Sequence, residues 1–271
     1  MFIPTQVIRF LHLVGHDVRI SAVSLLYCQS ESAVNRDFHK VLNTIISLEN
    51  QYIQQPTGEV VQKKIQEKKS FYPFFKDCIG AIDGTHIRVK VSNKDAPRYR
   101  GRKGYPSINA LVACTFDLKF TYVLSGWEST TSDSRIIKDA LSRDDKLVSF
   151  IWLMSVYLRH ASLCNAIERA FGVLKKRFAL IRSSNEPFYS RGTQSDIFSV
   201  CCVLHNFLLE VDREKELEDE VAQEVLDAQQ EEVPRYQSEI DERGEQIRNL
   251  IATQMWNAYL SDPNNEIDMS N

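Results

Sequence analysis

The stretch that most constrains the fold is the apolar run from Cys78 to Ile82, which ends on Asp83 beside Gly84 and continues as Thr85-His86. A short apolar run closed by a glycine reads as a buried strand, and an acid at its end reads as a carboxylate delivered to the rim of a sheet. Asp133 opens a helix-like segment, Ser132 to Leu141. Glu168 sits on a second, Ala161 to Phe178, where Leu163, Ile167, Ala170, Phe171 and Leu174 share one face. Carboxylates from a strand and two helices can converge on Mg²⁺, which takes oxygen ligands from one or two carboxylates plus substrate phosphates. Two such ions can activate water and hold the leaving oxygen of a phosphodiester. Spacing alone leaves the plainer reading open, in which these are three of the 36 acids of a solvated surface.

The remaining pattern predicts strands first and helices after, an α+β domain. Strands are expected at Cys78 to Ile82, His86 to Val91, Ser107 to Phe116 and Lys119 to Trp127, the last two joined at Asp117-Leu118. A helix is expected from Thr193 to Leu209, capped by Thr193 or Ser195. Residues 1–55 read as helical. Ser30 is an N-cap there for a segment whose Val34, Phe38, Val41, Leu42 and Ile45 form one stripe. Three short helices can make a helix-turn-helix that offers Arg36, His39 and Lys40 to DNA, or a plain helical cap on the domain that follows. Residues 56–76 form a polar connector, 77–209 the α+β domain and 210–271 an acidic tail. In the tail, Leu209 to Glu232 reads as either a solvated helix or a disordered segment. Ile240 to Leu260 is amphipathic through Ile247, Leu250, Ile251, Met255 and Trp256.

The net charge of −3 conceals two opposed halves. Residues 210–271 carry 18 Asp+Glu against 5 Lys+Arg, a net of −13; the preceding 209 residues carry 28 Lys+Arg against 18 Asp+Glu, a net of +10. A basic body suits a polyanion such as DNA. The tail can repel DNA, mimic it, bind a basic partner, or simply be solvated. The cations concentrate between Arg88 and Lys103, where seven cationic residues stand against one acid with Tyr99 among them. A loop beside Asp83 carrying Arg98, Arg100, Arg102 and Lys103 would grip phosphates without reading sequence. Gly101 and Gly104 would let its backbone come close to a phosphate. Lys175, Lys176 and Arg177 either meet DNA backbone or face solvent. His86 either positions water or phosphate or is satisfied by a neighbouring backbone group, and His205, among Cys201, Cys202, Leu204 and Phe207, reads as a core histidine.

Other classes find little support. The six cysteines form no paired C-x-x-C pattern, so a zinc site is not expected, and reduced thiols fit an intracellular protein. No apolar run reaches the roughly 18 residues that span a membrane. The first residues show no secretory signal. G-x-x-x-x-G-K-[ST] is absent, which argues against nucleotide hydrolysis.

Seven motifs, in order from about residue 75 to 210, carry a resemblance. They are Gly80-Ala-Ile-Asp-Gly-Thr-His-Ile87, Tyr99-Arg-Gly-Arg-Lys-Gly104, Phe120-Thr-Tyr-Val-Leu-Ser-Gly-Trp127, Ser132-Asp-Ser-Arg135, Arg159-His-Ala-Ser162, the run from Asn165 to Phe178, and Cys201-Cys-Val-Leu-His-Asn-Phe207. As a set they make the chain similar to the transposase-derived nucleases of the PIF/Harbinger class, DDE superfamily endonucleases that include the plant ALP1-like proteins. The resemblance implies an RNase H-like fold, a nuclear location and metal-dependent hydrolysis of DNA phosphodiesters. It carries the family's catalytic and metal-binding acids onto Asp83, Asp133 and Glu168, with Mg²⁺ or Mn²⁺ as cofactor. DNA is the implied partner, along with a separate DNA-binding or chromatin protein, and no membrane is involved.

One departure stands out. The family has a further strand, with an acid near its end, between its second and last acids. Here Asp133 and Glu168 are only 35 residues apart, and the segment is shortened near 142–158. Asp144 and Asp145 lie in that interval, but they follow a helix rather than end a strand. Two functions are therefore weighed: an endonuclease weakened by the shortening, and a domesticated transposase that has lost catalysis and acts as a DNA- or chromatin-associated binding protein.

Overall fold

The computed structural model describes residues 4–56, 63–67, 79–101, 104–143, 147, 161–182, 189–231 and 253. Arg102, Lys103, Asp144, Asp145, the segment 150–158 and, apart from residue 253, the amphipathic stretch 240–260 lie outside the described residues.

The chain begins with helices α1 (Thr5–His16), α2 (Ile20–Leu26) and α3 (Glu31–Ile46). The turns between them use left-handed backbone at Asp17 (φ 51°) and Cys28 (φ 50°). Ser30 caps α3 as expected, its Oγ accepting from Ala33 N at 3.2 Å. The stripe Val34, Phe38, Val41 and Leu42 is buried, with Phe38 against Phe10 of α1 at 5.1 Å between rings. An ion pair between Arg9 and Asp37 ties α1 to α3 inside this interface. Short helices α4 (Glu49–Tyr52) and α5 (Lys63–Gln66) follow.

A three-stranded antiparallel meander comes next: β1 (Ala81–Arg88), β2 (Ser107–Cys114) and β3 (Phe120–Glu128), in the order β1-β2-β3. The one-turn helix α6 (Ala96–Tyr99) lies in the connection between β1 and β2. The central β2 is buried along its whole length, as its apolar run requires. Two expectations change here. The two separate strands read from the sequence are one: β1 pairs with β2 residue for residue from Ala81↔Cys114 to Arg88↔Ser107. Gly84 did not break the strand, because it lies in the ladder opposite Leu111 and tertiary pairing overrides its weak strand preference. Asp83 therefore lies within a strand, not beyond its end.

After the sheet come α7 (Asp133–Ser142), α8 (Ala161–Arg177), α9 (Ala179–Arg182), α10 (Arg191–Val211) and α11 (Lys215–Glu231). Helix α10 starts earlier than the pattern suggested. Its cap is Ser190, whose Oγ accepts from Thr193 N at 3.3 Å, in place of Thr193 or Ser195. Helices α7 and α8 pack on β2, α8 also on β1, and α10 on β3. The N-terminal helices join the same core: α1 packs on α9, α3 on α10, and Phe38 stacks on Tyr189 at 4.7 Å. The acidic segment is helical over α11 and packs on α8. Val221 is buried there, with Leu217 and Val225 half-buried beside it.

Candidate active site

Alternate residues of β1 share a face. On one face Ala81, Thr85 and Ile87 are buried while Asp83 between them is exposed. The Asp83 carboxylate is steadied locally, Oδ1 accepting from Gly84 N at 2.8 Å. Helix α8 covers this face. Ile167, Ala170, Phe171 and Leu174 are buried, whereas Glu168 is exposed. Residues seven apart on a helix lie nearly in line, so Glu168 and Lys175 share a face. Lys175 Nζ donates to Thr85 Oγ1 at 3.2 Å and sits 5.8 Å from the centre of the Phe171 ring. Lys175, in line with Glu168 along the helix, thus reaches the strand face that holds Asp83.

Asp133 is the first residue of α7, which packs on β2 with Ile136 and Ala140 buried. Its side chain lies outside what is described. The structure brings the elements of all three acids onto two neighbouring strands. Among the described residues no group of three His, Cys, Asp or Glu gathers as a metal cage.

Four of the cationic candidates, Arg98, Arg100, Arg36 and Lys40, are described and exposed, on segments that both meet the start of α10. Arg98 is in α6, exposed, and forms an ion pair with Glu128; Arg100 is exposed beside it, bridged to Pro106. This loop is anchored to the start of α10. Gln194 holds the backbone of Lys90 from both sides, Lys90 N donating to Oε1 at 3.1 Å and Nε2 donating to Lys90 O at 3.2 Å. Arg191 Nη1 donates to the Tyr99 hydroxyl at 2.6 Å, with the guanidinium 5.4 Å from the ring centre. On the other side of the α10 start, the Phe38–Tyr189 stack carries α3, whose Arg36 and Lys40 are exposed. Arg191 was not foreseen. No sequence neighbour links it to residue 99; the one hint was an aromatic set among cations. Gly101 has a packing reason for being small: a Cβ there would lie 3.1 Å from Ser129 O.

The histidines divide as follows. His86 Nδ1 lies 3.3 Å from Ser107 Oγ. His205 is fully buried. Its Nε2 donates to Leu118 O at 2.9 Å and its Nδ1 accepts from Arg177 Nη1 at 3.3 Å. Burial, with the Arg177 and Arg213 charges adding to it, pushes the His205 pKa down to about 3, so it stays neutral. It serves the β2–β3 turn, where Leu118 is left-handed (φ 68°).

Residues 82–146 match the DDE superfamily endonuclease family, and residues 155–216 match the plant transposon protein family. These matches make the chain a homologue of DDE-type nucleases. The "Putative nuclease HARBI1" of Homo sapiens is 24% identical over 209 residues, covering 67% of this chain and 60% of the relative. The Bos taurus protein of the same name is 23% identical over the same shares. "Protein ALP1-like" of Arabidopsis thaliana is 23% identical over 250 residues, covering 74% of this chain and 59% of the relative. No solved structure matches. The chain is a homologue of the Harbinger transposase-derived DDE nucleases, and it spans about three fifths of the length of the curated relatives it matches. No helix among the described residues is long and apolar enough to cross a membrane.

Proposed function

We propose that this chain is a nuclear, DNA-acting endonuclease homologue with an RNase H-like core. In this reading Asp83, Asp133 and Glu168 hold Mg²⁺ or Mn²⁺. One observation supports it: the Lys175–Thr85 contact, by which a residue in line with Glu168 on α8 touches the strand that carries Asp83. The donor set suits the metal, since both acids are exposed where their neighbours are buried, and hard oxygen ligands are what these cations take. When bound, the metal supplies the Lewis acidity that phosphodiester hydrolysis requires. The protein's own groups do the rest. Lys175 places a cation at the β1–α8 contact, and Arg98, Arg100, Arg36 and Lys40 meet the DNA backbone, with α3 acting as the second part of a helix-turn-helix.

A second reading, a non-catalytic DNA- or chromatin-associated protein, is favoured by the sheet. Among the described residues β1 is an edge strand, so the acid-bearing strand has a neighbour on one side only. Loss of a strand there loosens the site, and a misplacement of about 1 Å can cost roughly a hundredfold in rate. We therefore expect weak cleavage. The test is nicking of supercoiled plasmid with Mn²⁺ beside an Asp83→Ala control. Slow nicking that the substitution abolishes supports the endonuclease. Equal background in both transfers the chain to the second reading. Fast cleavage lost on substitution shows a complete site and contradicts the weakening.

A further inference from the structure

The last turn of α8 carries three consecutive cations, Lys175, Lys176 and Arg177. On a protein that handles DNA such a turn would face a phosphate backbone, yet here Lys176 and Arg177 face acids. Lys176 Nζ lies 2.9 Å from Glu220 and 2.8 Å from Glu224, both on α11. Those two hydrogen bonds hold the Lys176 ammonium above its usual pKa. Arg177 Nε lies 3.6 Å from Glu214, just ahead of α11. Nearby, Lys119 Nζ meets Glu210 at 2.5 Å.

The way α11 is held suggests a cover more than a core helix. Its apolar anchor is narrow: Val221 is buried, Leu217 and Val225 half so, and Leu226 is exposed. Val221 fits because residue 172 is glycine; a Cβ there would lie 2.4 Å from Val221 Cγ1. The rest of the contact is ion pairing: Glu220, Glu224 and Glu214 are exposed, so their pairs contribute little each and weaken with salt, whereas Glu218 is buried and held by Arg213 at the start of the helix. A 17-residue acidic helix is marginal once released. Arg177 gives an independent sign. Its side chain is 5% exposed, yet among the described residues Nε and Nη2 have no hydrogen-bond partner. A guanidinium in that state is incompletely satisfied, and phosphate oxygens would satisfy it better than a carboxylate at ion-pair distance.

We infer that α11 is a removable acidic cover over a second phosphate-binding surface, formed by Lys176 and Arg177 at the end of α8, and that DNA backbone and α11 compete for it. The inference rests on the DNA-binding reading given above. The cover is tethered through the three residues that follow α10, so its local concentration is high, and it yields only to a multivalent polyanion. Binding there adds phosphate contacts to those of the loop and α3, and each contact released from α11 steepens the salt dependence.

The test is duplex affinity of the full chain against salt. Val221→Asp removes the anchor, while Glu220→Gln with Glu224→Gln frees Lys176 and keeps the anchor. Both should tighten binding by roughly threefold to tenfold and steepen the log–log salt slope by about one for each phosphate gained. Adding Lys176→Gln to either should cancel the gain. A charge-matched control, Glu216→Gln with Asp219→Asn on exposed positions of α11, should leave binding near wild type. Hydrogen exchange of residues 215–231 in the unmutated chain should rise when duplex is added. Wild-type binding with no gain in the Glu220→Gln/Glu224→Gln chain, an equal gain in the control, or unchanged exchange overturns the competition. Failure of every version to bind duplex at low salt overturns the DNA reading itself, and this inference with it.

Discussion

Asn206 shows how much one residue can organise. Its Oδ1 accepts from Phe120 N at 2.8 Å, and its Nδ2 donates to Phe120 O at 2.7 Å and Tyr52 O at 2.9 Å. One buried amide thereby pairs the first residue of β3 as a neighbouring strand would and fastens α4 to α10. Asn206→Ala leaves those backbone groups buried without a partner, and an expected loss of about 2–4 kcal/mol is read from the shift in denaturant midpoint. The adjacent His205 gives a pH signature. Its folded pKa, about 3, is below the usual 6.5, so the unfolded chain binds the proton first. Its contribution is complete above pH 6.5 and is lost as pH falls from there toward 3, at up to about 1.4 kcal/mol per pH unit. Thermal unfolding of His205→Gln should show a flatter profile across that window. An unchanged profile would mean that His205 is not held neutral.

At the scale of elements, the sequence foretold those features whose cause is local. The Ser30 cap and the α3 stripe, the unbroken apolar run of β2 and the amphipathic face of α8 each follow from neighbours in the chain. The continuity of β1 through Gly84 did not, because it depends on β2 lying alongside. Nor did the seating of α11, whose signal is Val221 in an acidic helix and Gly172, 49 positions earlier. The candidate acids were legible as residues, and their elements as a strand and two helices. What the sequence could not supply was the Lys175–Thr85 contact that joins the helix of Glu168 to the strand of Asp83. Arg191 was illegible for the same reason, its partner being 92 residues away. Arg191→Ala removes a hydrogen bond and a cation–π contact at the loop anchor. The expected cost is about 1 kcal/mol, with faster hydrogen exchange at residues 96–101; unchanged exchange there would show that Gln194 alone holds the loop.

Across the whole molecule, a body of net +10 is joined to a tail of net −13, so the overall charge of −3 misstates what DNA would meet. Duplex binding should fall steeply with salt, by about 0.9 in log–log slope for each phosphate contact. A salt-independent affinity would exclude the basic surface of α3, the α10 start and the loop as its source. The larger question is whether the acids, spread over β1, α7 and α8, act together. The most direct measurement is Mn²⁺ binding by the full chain, followed by electron paramagnetic resonance of the free ion. It is compared across the wild type, Asp83→Asn, Asp133→Asn and Glu168→Gln. The account predicts weak saturable binding that each substitution reduces by roughly tenfold or more, as loss of a ligand does. Binding unchanged by all three substitutions would contradict it.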